Sequence, residues 1–302
     1  MDWLWIPITV WAALAQTVRN AAQRSLVASL GTLGATLVRF LYGLPFALLW
    51  LAAVAAASGE PLPQPGPAFL GWVALGALAQ IAATALLLAV MQERNFALGV
   101  AYSKTEVLQT AVFATVFLGD PLGAIGATAV LAATLGVLLL SPVDRERPLR
   151  TLLAGWTSRA SVLGIGSGAG FALAAVGYRG AALALPDSGF LIAAAAALAA
   201  AQVLQTLALG GYLALSDPGA IAGALREWRR SLVAGFMGAV ASAGWFTAFA
   251  LAPAAHVRTL GLVELVFSYA VSRRFFRERL TRLEAAGMGL LALGVGAIAF
   301  AG

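Results

Sequence analysis

Cysteine is absent from this 302-residue chain. Disulfides, thiol catalysis and thiolate metal sites are therefore excluded. Histidine occurs once, at His256, so no site built from several histidines can form. Lysine also occurs once, at Lys104. Charge of either sign is scarce: 11% of residues are charged against 61% hydrophobic, where soluble domains run near 25% charged. A soluble domain of this length cannot cover that much apolar surface with so few charges. Strand-like alternation is missing too, and the apolar runs are long, which excludes an outer-membrane barrel. What remains is an all-α membrane protein. Its formal charge of +6 sits mostly in short loops between apolar runs. Topology explains that better than nucleic acid does, and the expected partners are a lipid bilayer and a small-molecule substrate.

A crossing needs roughly 20 mainly apolar residues. Ten such spans can be drawn, near 4–24, 29–56, 67–91, 96–117, 121–141, 160–184, 188–214, 231–252, 256–276 and 282–301. The first has Asp2 as its only early charge, with Trp3 and Trp5 as interfacial anchors, so it reads as a permanent helix and not a signal peptide. The breaks carry turn chemistry: the proline-rich stretch 58–67, the polar connection 142–158, Pro186-Asp187, and Ser216-Asp217-Pro218-Gly219. Gly164, Gly166, Gly168 and Gly170 lie within one apolar span. No strand precedes them, so they read as close helix packing and not as a dinucleotide loop.

The strongest signal is an internal repeat. With a shift of 158 residues, Glu106 falls on Glu264, Thr110 on Ser268, Phe117 on Phe275, Asp120 on Glu278, Leu122 on Leu280 and Gly136 on Gly294. Each half then holds five spans, an odd number, so the halves enter the membrane in opposite directions. The expected fold is ten transmembrane helices as two inverted five-helix repeats: 1–141, a connecting loop 142–158, and 159–302. Inverted repeats are a transporter architecture with the solute site near the midplane.

At these residues the chain resembles the drug/metabolite transporter superfamily, specifically its ten-helix EamA-like members. The features that carry the resemblance are the acid within the fourth span of each half, the Arg277-Glu278-Arg279-Leu280 step, Gly287 and Gly294, and the "LVRFLYGLPFALL" stretch containing Arg39 and Phe40. The first half departs slightly, with Asp120 for the glutamate and Ala129 for a glycine. The resemblance implies a secondary transporter that exports small metabolites by alternating access around a central cavity. The YddG-type exporters are nearest in layout, which implies aromatic or neutral amino acids. Two other classes stay open: export of lipophilic cations, and a lipid flippase or structural membrane subunit. The expected location is the bacterial inner membrane.

Charge also gives an orientation. With ten spans, one side collects Arg24, Arg94, Arg145, Arg147, Arg150, Arg159, Arg226, Arg229, Arg230, Arg273, Arg274, Arg277, Arg279 and Arg282. The other holds Arg179 and Arg258 with Glu60, Asp120 and Asp187. The positive-inside rule puts the arginine-rich side in the cytoplasm and both termini outside.

Polar groups within spans are site candidates, because a charge at the bilayer centre costs several kcal/mol unless partnered. Tyr102, Glu106 and Gln109/Thr110 share one helical face. Lys104 lies about 200° round from Glu106 and so points elsewhere. Glu264 repeats the acid in the ninth span. Facing carboxylates of this kind suit proton coupling, and the competing reading is that each fixes a neighbouring helix. Lys104 is either the counter-ion of a substrate carboxylate or half of a structural pair. Gln16, Arg19 and Asn20 share a face, as a site or snorkelling to the interface. Arg39 is expected to pair with an acid or a carbonyl. Gln80, Gln202 and Gln205 are cavity donors or glue between helices. Tyr178, Arg179 and Trp245 form an aromatic wall or, for Trp245, a packing or lipid-facing element. His256 and Arg258 read as interfacial. No metalloprotease, nucleophile-elbow or metal-ligand pattern occurs, so the chain is expected to be no enzyme and to need no cofactor.

Overall fold

The computed structural model describes residues 3–93, 100, 103–120, 124, 127, 128 and 159–275. Among these there are helices and connections and no strand. Six helical stretches are long and apolar enough to cross a membrane: Trp5–Ser58, Pro67–Glu93, Val162–Leu183, Phe190–Ser216, Trp228–Leu251 and Ala254–Arg274. Glu106–Leu118 is a shorter apolar helix. These are the dimensions of an α-helical membrane protein. Most of the fifth expected span, all of the tenth, the 142–158 connection and Tyr102 lie outside the described residues.

The elements, in chain order, are α1 (Trp5–Leu41), α2 (Leu44–Ser58), α3 (Pro67–Glu93), α4 (Glu106–Leu118), α5 (Arg159–Leu183), α6 (Phe190–Ser216), α7 (Pro218–Arg226), α8 (Trp228–Leu251), α9 (Ala254–Leu260) and α10 (Glu264–Arg274). The 54-residue first stretch is more than twice what one crossing needs. It folds back at Gly31, whose φ of 67° and ψ of 174° lie in a region open essentially to glycine. The reversal is visible in Gln23, whose Nε2 donates to the Ala35 carbonyl at 2.8 Å. In a continuous helix residues twelve apart would stand about 18 Å apart. The first span therefore runs some six residues beyond the expected end at 24, and glycine rather than a polar loop makes the turn.

The other boundaries follow local chemistry. Pro67 opens α3, Gly59 and Gly119 close α2 and α4 with left-handed backbone, and the Asp217 side chain accepts from the Ala220 N–H at 3.2 Å to cap α7. α1 packs most extensively against α8, and α3 against α5. Small residues allow that approach. A Cβ on Gly170 would lie 2.9 Å from that of Ala83, and one on Gly168 2.8 Å from the Ser103 carbonyl oxygen. The glycine run thus serves packing.

The bundle is inside-out relative to a soluble protein. Leu49, Val116, Leu207 and Leu215 face outward, while Arg19, Arg39, Lys104, Glu106, Arg258 and Glu264 are buried. Its two ends differ as well. Thr32 meets Gln92 and Glu93 meets Arg159 at one end. At the other, the Gly189 N–H donates to Glu60 at 2.7 Å and Asp120 pairs with Arg179.

Candidate functional site

The helix that carries Glu106 is not regular. A turn at Lys104 and Thr105 interrupts it just before Glu106 begins α4. The ninth span breaks in the same way: α9 tightens into a single 3-10 turn, Gly261–Val263, and Glu264 begins α10. The two interruptions are 158 residues apart, the same offset that aligns the halves of the sequence. Each carboxylate therefore sits in the first turn of a helix, where the helix dipole stabilises negative charge.

The interruption corrects the expectation for Lys104. In a regular helix its side chain would diverge from Glu106. With the turn between them, Nζ lies 3.1 Å from Glu106 Oε1 and 2.5 Å from Glu264 Oε2. The two acids do not face each other across open space; one ammonium holds both. Gln16 Nε2 donates to Glu264 Oε2 at 2.7 Å, and Asn20 Nδ2 to Glu264 Oε1 at 2.9 Å. The Glu264 carboxylate is thus saturated, whereas Glu106 Oε2 has no partner among the described residues.

Arg258 completes this group. It is buried, not interfacial as its place near a span end suggests. Its NH1 stands 3.7 Å from Glu106 Oε1, and its guanidinium lies 4.8 Å from the Trp245 ring centroid and 5.1 Å from that of Phe249. A flat cation over two aromatic faces is well held. Trp245 is therefore neither lipid-facing nor part of a wall with Arg179. Its indole Nε1 and the Nε of Arg258 both lack a partner among the described residues. The four charged groups Lys104, Arg258, Glu106 and Glu264 balance to zero.

A second polar region lies beside the first. Arg19 does not snorkel: it is fully buried on α1, donating to its neighbour Asn20 Oδ1 at 2.6 and 3.2 Å. Arg39 does not pair with an acid. Its guanidinium donates to the hydroxyls of Thr84, at 3.0 Å, and Ser242, at 3.4 Å. Thr84 and Ser242 are also 158 residues apart. Further along, Tyr178 OH and Gln205 Nε2 both donate to Gln80 Oε1 at 2.8 Å, and Tyr178 stacks on Phe246 at 4.0 Å. Gln202 donates weakly to the Arg39 and Phe40 carbonyls, where α1 ends.

Of the expected site residues, Gln16, Asn20, Lys104, Glu106, Trp245 and Glu264 form or border one cluster, and Gln80 and Tyr178 form the other polar region. Arg19, Arg39 and Arg258 belong to this interior as well. Arg39 is marked in the sequence by its position deep within an apolar run, whereas Arg19 and Arg258 lie nearer span ends and carry no such mark. Arg179 goes elsewhere. It clasps Asp120 through Nε, at 2.6 Å, and NH2, at 3.1 Å, while NH1 donates to the Phe249 and Ala252 carbonyls at 2.9 Å each.

No protein-family model matches the chain, and no curated protein matches it. Among 26 solved chains that match, one superposes with a TM-score of 0.67 at 16% sequence identity, over 98% of this chain and 96% of that one. The chain shares the fold of that solved structure over nearly its whole length.

Proposed function

We propose that this protein is a secondary transporter that exports a small amino compound, an amino acid in the first instance, by alternating access. The observation that carries the reading is Lys104 bridging Glu106 and Glu264 at two helix interruptions 158 residues apart. Interrupted helices at corresponding positions of two halves are where transporters of inverted-repeat design bind solute. They support ten spans in two inverted repeats and the resemblance to EamA-like drug/metabolite transporters.

The chemistry favours a zwitterion. An α-ammonium can take the place of Lys104 on Glu106 and Glu264. The α-carboxylate then takes the freed Lys104 and the unpartnered Nε of Arg258, and the indole N–H of Trp245 adds a neutral donor. A zwitterion enters this balanced group without changing its net charge. A lipophilic cation would meet Lys104 and Arg258 with nothing to neutralise it, so that class is disfavoured. Because solute and internal ion pairs compete for the same atoms, binding loosens the contact between the two interrupted helices. That is the coupling alternating access requires. The arginine-rich end belongs in the cytoplasm of the bacterial inner membrane by the positive-inside rule. Protons are the candidate driving ion.

The test is flux of a radiolabelled amino acid panel in proteoliposomes, with and without a pH gradient. Saturable flux in wild type, lost in Lys104→Ala and Glu106→Gln, is expected. Absence of amino acid flux from monodisperse protein would overturn the reading.

A further inference from the structure

The balanced group leaves two positive charges over. Arg19 and Arg39 are both buried, at 0% and 1% exposure. They meet at Gly238 on α8: a Cβ there would lie 3.1 Å from Arg39 Cγ and 3.4 Å from Arg19 Cδ. Only glycine leaves that room undisturbed. Among the described residues neither guanidinium touches a carboxylate. Their partners there are an amide oxygen and two hydroxyls, and Arg19 NH1 and Arg39 Nε donate to nothing among the described residues. Two guanidinium groups out of water, whose stems meet at one glycine and each of which has a spare N–H among the described residues, make a site for a planar or tetrahedral oxyanion. It is joined to the zwitterion group through Asn20, which accepts from Arg19 and donates to Glu264.

We propose that the Arg19–Arg39 pair receives a second oxyanion of the transported solute, so that the preferred substrate is an acidic amino compound: an amino acid with a side-chain carboxylate or phosphate monoester. This rests on the transporter reading and narrows it away from neutral and aromatic amino acids. The solute lies with its zwitterionic end among Lys104, Arg258, Glu106 and Glu264. Its second anion reaches past Asn20 to Arg19 and Arg39, where Thr84 and Ser242 hold the guanidinium of Arg39 in place.

Binding in detergent tests this without needing flux. L-glutamate, O-phospho-L-serine, L-glutamine and inorganic phosphate are titrated against wild type, Arg19→Gln and Arg39→Gln, with affinity read by calorimetry and by thermal shift. Glutamate or phosphoserine is expected to bind about tenfold or more tightly than glutamine, and the advantage is expected to vanish in both variants. The wild-type comparison needs no variant to fold. Equal binding of glutamate, phosphoserine and glutamine to wild type overturns the proposal. So does an advantage that survives in both variants, or stabilisation by inorganic phosphate that matches the amino compounds. Selective binding without flux would fail the transporter reading alone. Flux of neutral amino acids with no acidic preference would fail this inference alone.

Discussion

Two arginine- or lysine-centred ion pairs in this protein use the same chemistry to different ends. At one end of the bundle Arg179 engages all three of its nitrogens: Nε and NH2 on Asp120, NH1 on the Phe249 and Ala252 carbonyls. Those carbonyls terminate α8 and would otherwise be orphaned. In the interior, Lys104 binds two acids, yet Glu106 Oε2, Arg258 Nε and Trp245 Nε1 are left over among the described residues. A saturated arrangement has nothing to offer a ligand. One with spare donors and acceptors in a low-dielectric interior carries a cost that a ligand can relieve. The difference separates structure from site more sharply than burial does.

The comparison can be broken most severely at Glu264. Glu264→Gln leaves Lys104 with one acid and strands Gln16 and Asn20 against an amide. Removing one partner of a buried pair typically costs about 3–5 kcal/mol, so a large fall in thermal stability in detergent is expected, together with loss of flux. At the clasp, Asp120→Asn keeps shape and removes charge. The pair is partly exposed, at 12% for each side chain, and its loss is expected to cost roughly 1–2 kcal/mol after solvent screening. Solute affinity is expected to stay unchanged by calorimetry, and a tenfold loss there would erase the distinction between the two pairs. Trp245→Phe sharpens it. The ring contact with Arg258 survives and the removed N–H has no partner among the described residues, so stability should move by less than about 1 kcal/mol while affinity falls. Arg230→Gln removes an exposed charge near Glu227, and neither melting temperature nor flux is expected to change.

The interior charges were easy to find in the sequence because a Glu, Lys or Arg within an apolar run stands out against its neighbours. Their partners were harder. Regular helical geometry sets Lys104 apart from Glu106, and a two-residue turn brings the two together. Nothing in "AYSKTEVL" announces the turn, since none of its residues is proline or glycine. Arg39 was expected to find an acid or carbonyl and found two hydroxyls on α3 and α8, elements remote in sequence. The shift of 158 residues also relates Thr84 to Ser242, but two hydroxyl residues carry no signal in an apolar run until one guanidinium joins them. The span order puts Arg179 and Asp120 at one end of the bundle, but nothing in it joins them, and Arg258, put at the same end, is buried in the interior.

The clasp also has a kinematic consequence. One side chain ties the turn after α4, the body of α5 and the tip of α8 into a single block at that end of the bundle. These three elements cannot part from one another there without giving up two charge-assisted hydrogen bonds and two helix-terminal ones. If the clasp stays closed, they move as a unit, and any hinge that opens this end lies outside them.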